Sequence, residues 1–285
     1  MARILGSLTT SHVPAIGGAI ARSLHTDPYW KPFFDGFGPV HRWLQDARPG
    51  VVVVFYNDHG LNFFLDKMPT FAVGAAAGYG SADEGWGIPT VPSFTGHAPL
   101  SWHVVEHLVG CDFDLTTCQE MLVDHAVTVP MTLLWPGRDW QDRGIKLLPI
   151  HINTVQYPLA SAARCYALGR AVGEALASWP GDERVLVMGT GGLSHQLDGQ
   201  RAGFINKDFD LQFLESLVHE PRWATRYSIH ELVEKTGTQG VELVMWLAAR
   251  GALEGAGVAK VRRTHQNYHI PISNTASGLL LLEPA

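Results

Sequence analysis

Three histidines in this sequence follow segments that read as buried strands. "SHVPA" places His12 after Ile4–Leu8, "YNDH" places His59 after Val51–Tyr56, and "GTGGLSHQ" places His195 after Val185–Met188. In open α/β sheets, functional groups gather outside the carboxyl ends of strands, so three such histidines can meet in one pocket. Any one alone is more often a satisfied structural histidine; repetition at equivalent positions argues against that. Glu242, in "GVELVMWLAARG", is the only acid in an apolar helical stretch. A carboxylate near a helix start can serve the helix dipole. Its apolar neighbours point to burial instead, and a buried carboxylate needs a cation or hydrogen-bond partners. Two imidazoles and a carboxylate suit non-haem Fe(II) or catalytic zinc, and spacing does not separate the two.

Other chemistries fit poorly. "GGLSHQ" lacks the glycine two places after Ser194 that a nucleophile elbow requires. "GTGGLSHQ" matches neither a dinucleotide fingerprint nor a phosphate-binding P-loop. His125, in "DHAVTVP", stands at an expected helix start, beside an aspartate that reads equally well as an ordinary cap.

The elements that must position these residues alternate along the chain. Ile4–Leu8, Val51–Tyr56, Ile145–Ile152, Val185–Met188 and Gly278–Leu282 read as strands, and Phe113–Thr117 as a further one. Pro99–Val109, Val127–Leu134, Ala160–Ala177, a segment capped by Asn206, and Gly240–Arg250 stopped by Gly251 read as helices. Gly74–Pro99 reads as one long loop, a length that is often functional. The alternation predicts an α/β layered fold, with a central, mostly parallel or mixed sheet flanked by helices. With no internal repeat or linker, residues 1–285 are expected to form a single catalytic domain.

Composition narrows the function. A net charge of −6 gives no basic footprint, so no nucleic acid or acidic membrane partner is expected. Cys111, Cys118 and Cys165 show no CxxC spacing, which predicts neither disulfides nor a thiolate site and favours a reducing cytoplasm. No leader pattern and no apolar run of about 20 residues is seen, so a soluble, cytoplasmic protein is expected.

Eight ordered motifs carry a family resemblance: "SHVPA", "YNDH", "ADEGWG", "VDHAVTVP", "GTGGLSHQL", "INKDFD", "GVELVMW" and "IPISNTA". Together they resemble the catalytic chains of the class III extradiol ring-cleaving dioxygenases, the protocatechuate 4,5-dioxygenase type, over essentially the whole sequence. The resemblance implies that His12, His59 and Glu242 ligate Fe(II), and that His195 is the acid/base. It further implies that His125 assists at the active site and that Ser273 and Asn274 hold a ring carboxylate. The implied reaction opens a carboxylated catechol with O2 to a carboxymuconic semialdehyde. Gallate or 3-O-methylgallate as substrate, or a zinc-dependent hydrolase on the same scaffold, are the alternatives. Members of this type pair with a small helical α subunit. The sequence ends soon after its last expected strand, so such a chain, a homo-oligomer or another part of this chain is expected to cover the pocket.

Overall fold

Val51–Tyr56 is buried at every residue because both faces of this strand are covered. Val51, Val53 and Phe55 enter one core, while Val52, Val54 and Tyr56 enter the other. The alternation of side chains across a pleated strand makes a continuous apolar run the sequence mark of a central strand.

The computed structural model describes residues 2–272 and 274–285. In chain order the strands are β1 (Arg3–Thr10), β2 (Val51–Tyr56), β3 (Phe71–Gly74), β4 (Gly78–Ser81), β5 (Phe94–Gly96) and β6 (Thr116–Cys118). They continue with β7 (Leu122–Val123), β8 (Lys146–Ile152), β9 (Arg184–Thr190), β10 (Val261–Ile272) and β11 (Thr275–Pro284). The main path runs β10-β11-β1-β9-β2-β8-β5-β4-β7, with β3 joining β8 to β6. Strands β1, β9, β2 and β8 are mutually parallel, so their carboxyl ends share one edge. Antiparallel β11 begins at that same edge, bringing the β10–β11 turn beside the end of β1. The mixed α/β sheet predicted from the sequence is the one observed.

Helices α1 (Pro14–Ala21), α2 (Lys31–Asp35), α3 (Gly38–Ala47), α4 (Ala98–Gly110) and α5 (His125–Leu134) are followed by α6 (Ala162–Ser178), α7 (Lys207–His219), α8 (Ile229–Thr236) and α9 (Val244–Gly255). Residues of α1, α2, α3 and α5 cover one face of the sheet, and residues of α4, α6, α7 and α9 the other. Helices α6 and α9 approach closely because small residues face each other. A Cβ on Gly169 or Gly173 would strike the carbonyl of Ala248 or Ala252, and one on Gly251 or Gly255 that of Tyr166 or Arg170.

Three expectations need correction. Gly251 does not stop its helix: Gly240–Leu243 is a 3-10 turn, after which α9 runs on to Gly255. The glycine serves the contact with α6 instead. The stretch Gly74–Pro99 is not one loop, because it contains β4 and β5. The strand expected at Phe113–Thr117 is three residues long and shifted to Thr116–Cys118. No helix among the described residues is long and apolar enough to cross a membrane.

Candidate active site

The shared carboxyl edge of β1, β2 and β9 opens into a cavity of about 600 Å³ lined by His12, His59, His125, His195, Glu242 and Asn274, among others. Six of the residues singled out in the sequence are therefore brought together. Ser273 lies outside the described residues. The ring centroids of His12 and His59 are 5.2 Å apart, and those of His59 and His125 4.2 Å.

The Glu242 carboxylate sits between two of the histidines. His12 Nε2 is 3.6 Å from its Oε2 and His59 Nε2 is 3.5 Å from its Oε1. Burial favours the neutral acid, but His12 and His59 hold the Glu242 carboxyl well below the usual carboxylate range. Two protein N–H groups fix its rotation: Asn57 Nδ2 donates to Oε1 at 3.1 Å and the Gly192 amide donates to Oε2 at 2.9 Å. Gly191, at φ +107°, leaves room for this approach; a Cβ there would lie 2.7 Å from Glu242 Cβ.

Each cavity histidine has its Nδ1 engaged by the protein. His12 Nδ1 is 3.1 Å from Thr190 Oγ1, and His59 Nδ1 is 2.9 Å from Asp124 Oδ2. His125 Nδ1 is 2.7 Å from Glu84 Oε2, and His195 Nδ1 is 2.8 Å from the Leu193 carbonyl. A carbonyl or an ionised carboxylate only accepts, so Nδ1 of His59, His125 and His195 donates; Asn57 Nδ2 lies 3.1 Å from His59 Nε2. Metal-binding histidines are typically oriented by this kind of support. Burial lowers the His12 pKa to about 4. Burial also opposes charge on His59, yet the Asp124 carboxylate overrides it and lifts that ring to about 10, so an ion held at Nε2 would take the place of a proton there.

A metal fits the donor set. His12 Nε2 is buried without a hydrogen-bond partner among the described residues. Such an orphan is costly unless another group satisfies it. Two imidazole nitrogens and a carboxylate, facing one another across 3.5–3.6 Å, are donors a single divalent cation would satisfy.

The polar trio after β2 divides its work. Asn57 steadies Glu242, and His59 enters the cavity. Asp58 folds the following turn, its carboxylate accepting from the amides of Gly60, Leu61, Asn62 and Phe63. Behind His195, the Asp210 carboxylate accepts from the Ser194 amide at 3.0 Å, from its hydroxyl at 2.6 Å and from Tyr268 at 3.0 Å. Burial raises Asp210 to about 6. Sequence reading missed Asp210, Thr190 and the part played by Glu84. The cap that the sequence offers as one reading of Asp124 is half its role, because Oδ1 caps α5 through the Ala126 amide while Oδ2 meets His59.

Asp124 therefore offers a clean test. Asp124→Asn keeps a capping oxygen but loses the charge facing His59, and metal affinity is expected to fall roughly 10- to 100-fold. Asp124→Ala also removes the cap, at about 1 kcal/mol of stability. Chelator competition and thermal melting separate the two effects. An Asp124→Asn protein that holds metal as tightly as its parent would remove Asp124 from the support of His59.

Comparison with known proteins gives the family of the chain. A family profile described as the catalytic LigB subunit of aromatic ring-opening dioxygenase matches residues 6–278. A gallate dioxygenase of Pseudomonas putida is 38% identical over 203 residues, covering 71% of this chain and 57% of the relative. The chain thus spans little more than half the length of that protein. A 2,3-dihydroxyphenylpropionate/2,3-dihydroxicinnamic acid 1,2-dioxygenase of Photorhabdus laumondii is 33% identical over 320 residues, covering 96% of this chain and 95% of the relative. The crystal structure of an uncharacterised Escherichia coli K12 protein superposes with a TM-score of 0.53 at 14% identity, over 96% of this chain and 99% of the other, which is a likeness of fold alone.

Proposed function

The chain belongs to the LigB family of aromatic ring-opening dioxygenases, and on that premise we propose that it cleaves a ring-carboxylated catechol at a site built from His12, His59 and Glu242 with Fe(II). Extradiol ring cleavage of a catechol-type substrate with O2 is the activity of the family. The observation that carries the finer reading is the orphaned His12 Nε2 facing the Glu242 carboxylate, with His59 Nε2 on its other oxygen. When bound, the metal would hold a diol and O2 together and allow electrons to pass between them.

The chain's own residues do the rest. His195 donates through Nδ1 to the Leu193 carbonyl, which leaves Nε2 to take a proton from a substrate hydroxyl and return one as the ring opens. His125 stands against His59 with its own Nε2 left for the substrate. Asn274 lines the cavity, and with Ser273 it is assigned to the ring carboxylate. Apolar side chains such as Val13, Leu159 and Val233 line the remaining wall and keep water from the ring. Both oxygen atoms of O2 end in the product, a muconic semialdehyde bearing the original carboxylate.

Exposed apolar residues rim the cavity: Trp86 is 53% exposed, Val155 52%, Tyr157 50% and Leu197 52%. A small helical partner chain or a second copy of this chain is the cover we assign to that rim.

The test is anaerobic Fe(II) reconstitution followed by oxygen uptake with protocatechuate, gallate, 3-O-methylgallate, 2,3-dihydroxyphenylpropionate and unsubstituted catechol. Faster uptake with at least one ring carboxylate than with the last two is expected. Turnover of 2,3-dihydroxyphenylpropionate alone would contradict the carboxylate assignment. Activity with zinc but not with iron would contradict the metal.

A further inference from the structure

His125 is the first residue of α5, and its ring is held from outside that helix. Glu84, in the segment between β4 and β5, grips it at two points. Oε1 accepts from the His125 amide at 2.7 Å, and Oε2 lies 2.7 Å from Nδ1. Asp124 meets His59 differently, through one oxygen: Oδ2 accepts from the His59 amide at 2.8 Å and lies 2.9 Å from Nδ1, while Oδ1 serves the Ala126 amide. Two residues beyond Glu84, the Trp86 indole lies against the His125 ring, with centroids 4.9 Å apart. The His125 side chain is 1% exposed and that of Glu84 13%, so water competes little for this contact.

We propose that Glu84 is the positioning residue of His125: it places the ring hydrogen on Nδ1, so that Nε2 meets the catechol as a hydrogen-bond acceptor. An ionised carboxylate has no hydrogen to give, so the nitrogen it touches must donate. The backbone amide on its other oxygen removes the remaining freedom of the carboxylate to turn. The fixed amide, the fixed Nδ1 and the tilted indole beside the ring together set its rotation. Glu84 touches neither substrate nor metal in this account and acts only through His125. The catalytic consequence rests on the reaction proposed above; the tautomer is a property of the metal-free chain and stands apart from it.

Glu84→Gln distinguishes this role from simple packing, because the shape is kept and the hydrogen-bond pattern is not. A glutamine amide cannot accept at both points. Satisfying the backbone N–H with its oxygen turns its NH2 toward Nδ1, which then has to accept, and the ring hydrogen moves to Nε2.

Two-bond proton–nitrogen correlation spectra of metal-free protein carrying nitrogen-15 histidine read the tautomer directly under mildly alkaline conditions. His125 is assigned by its absence in His125→Gln. The parent protein is expected to show a protonated Nδ1 and a bare Nε2, and Glu84→Gln the reverse at an unchanged melting temperature. In iron-loaded protein, kcat of Glu84→Gln is expected to fall roughly 10- to 100-fold, with KM moving less than about threefold. A parent ring with its hydrogen on Nε2, an unaltered pattern in Glu84→Gln, or an inverted pattern at undiminished kcat each overturns the proposal. If the pattern inverts as expected and the parent protein opens no catechol at all, the positioning holds and the proposed reaction is what fails.

Discussion

Glu242→Ala is expected to empty the site of metal. Its carboxylate is the group that faces both His12 Nε2 and His59 Nε2, at 3.6 and 3.5 Å, and the residue is only 5% exposed. Removing it withdraws the negative charge that offsets a buried dication. It also strands the Gly192 amide and leaves Asn57 Nδ2 with only its contact to His59 Nε2. Unpairing a buried ion pair costs about 3–5 kcal/mol, which corresponds to at least a hundredfold loss of affinity. Glu242→Gln keeps the volume and an oxygen for the Gly192 amide, so it should fold like the parent and still bind metal weakly. Metal analysis after dialysis measures both variants. Full occupancy in Glu242→Ala would remove Glu242 from the ligand set.

His195→Phe is expected to do the opposite, keeping the metal and losing turnover. The ring is 2% exposed, so phenylalanine fills a similar space, and His195 is not among the three groups assigned to the ion. What disappears is the nitrogen left over when Nδ1 is committed to the Leu193 carbonyl. Loss of a positioned acid/base group lowers kcat by roughly 10²- to 10⁴-fold. The KM for catechol should change far less, because binding uses the ion and the cavity walls. Iron-loaded His195→Phe turning over at the parent rate would end the proposed role. Loss of iron in the same variant would make it a structural residue instead.

The contrast between these variants reflects what was legible in the sequence. Strands β1, β2, β8 and β9 announce themselves, because strands covered on both faces must be apolar throughout. Their ends therefore mark where His12, His59 and His195 emerge. Strand β10 does not announce itself: "VRRTHQNYHIPI" is rich in charged and polar residues because it lies at the edge of the sheet. Strands β4 and β5, four and three residues long, are too short to show a period within a Gly/Pro-rich stretch. The helix expected at Gly240–Arg250 was misread at both ends. Its start is a 3-10 turn, and Gly251 is a packing glycine that a local reading cannot tell from a stop.

In the site itself, the groups facing the cavity were found and those holding them were not. Asp124 is 65 residues from His59, and Glu84 is 41 from His125. Thr190 supports His12 from 178 residues away. Nothing local marks such pairs, since only the sheet brings them together. Asn57 and Asp58 stand beside His59 in the sequence, but their division of labour, one steadying Glu242 and the other folding the turn, emerges only in the fold.

Anomalous diffraction at the iron edge, from crystals reconstituted anaerobically with Fe(II), tests the central claim most directly. One peak in contact with His12 Nε2, His59 Nε2 and the Glu242 carboxylate is the predicted result. A peak held by other residues, or no peak in this cavity from protein that opens catechols, would contradict it.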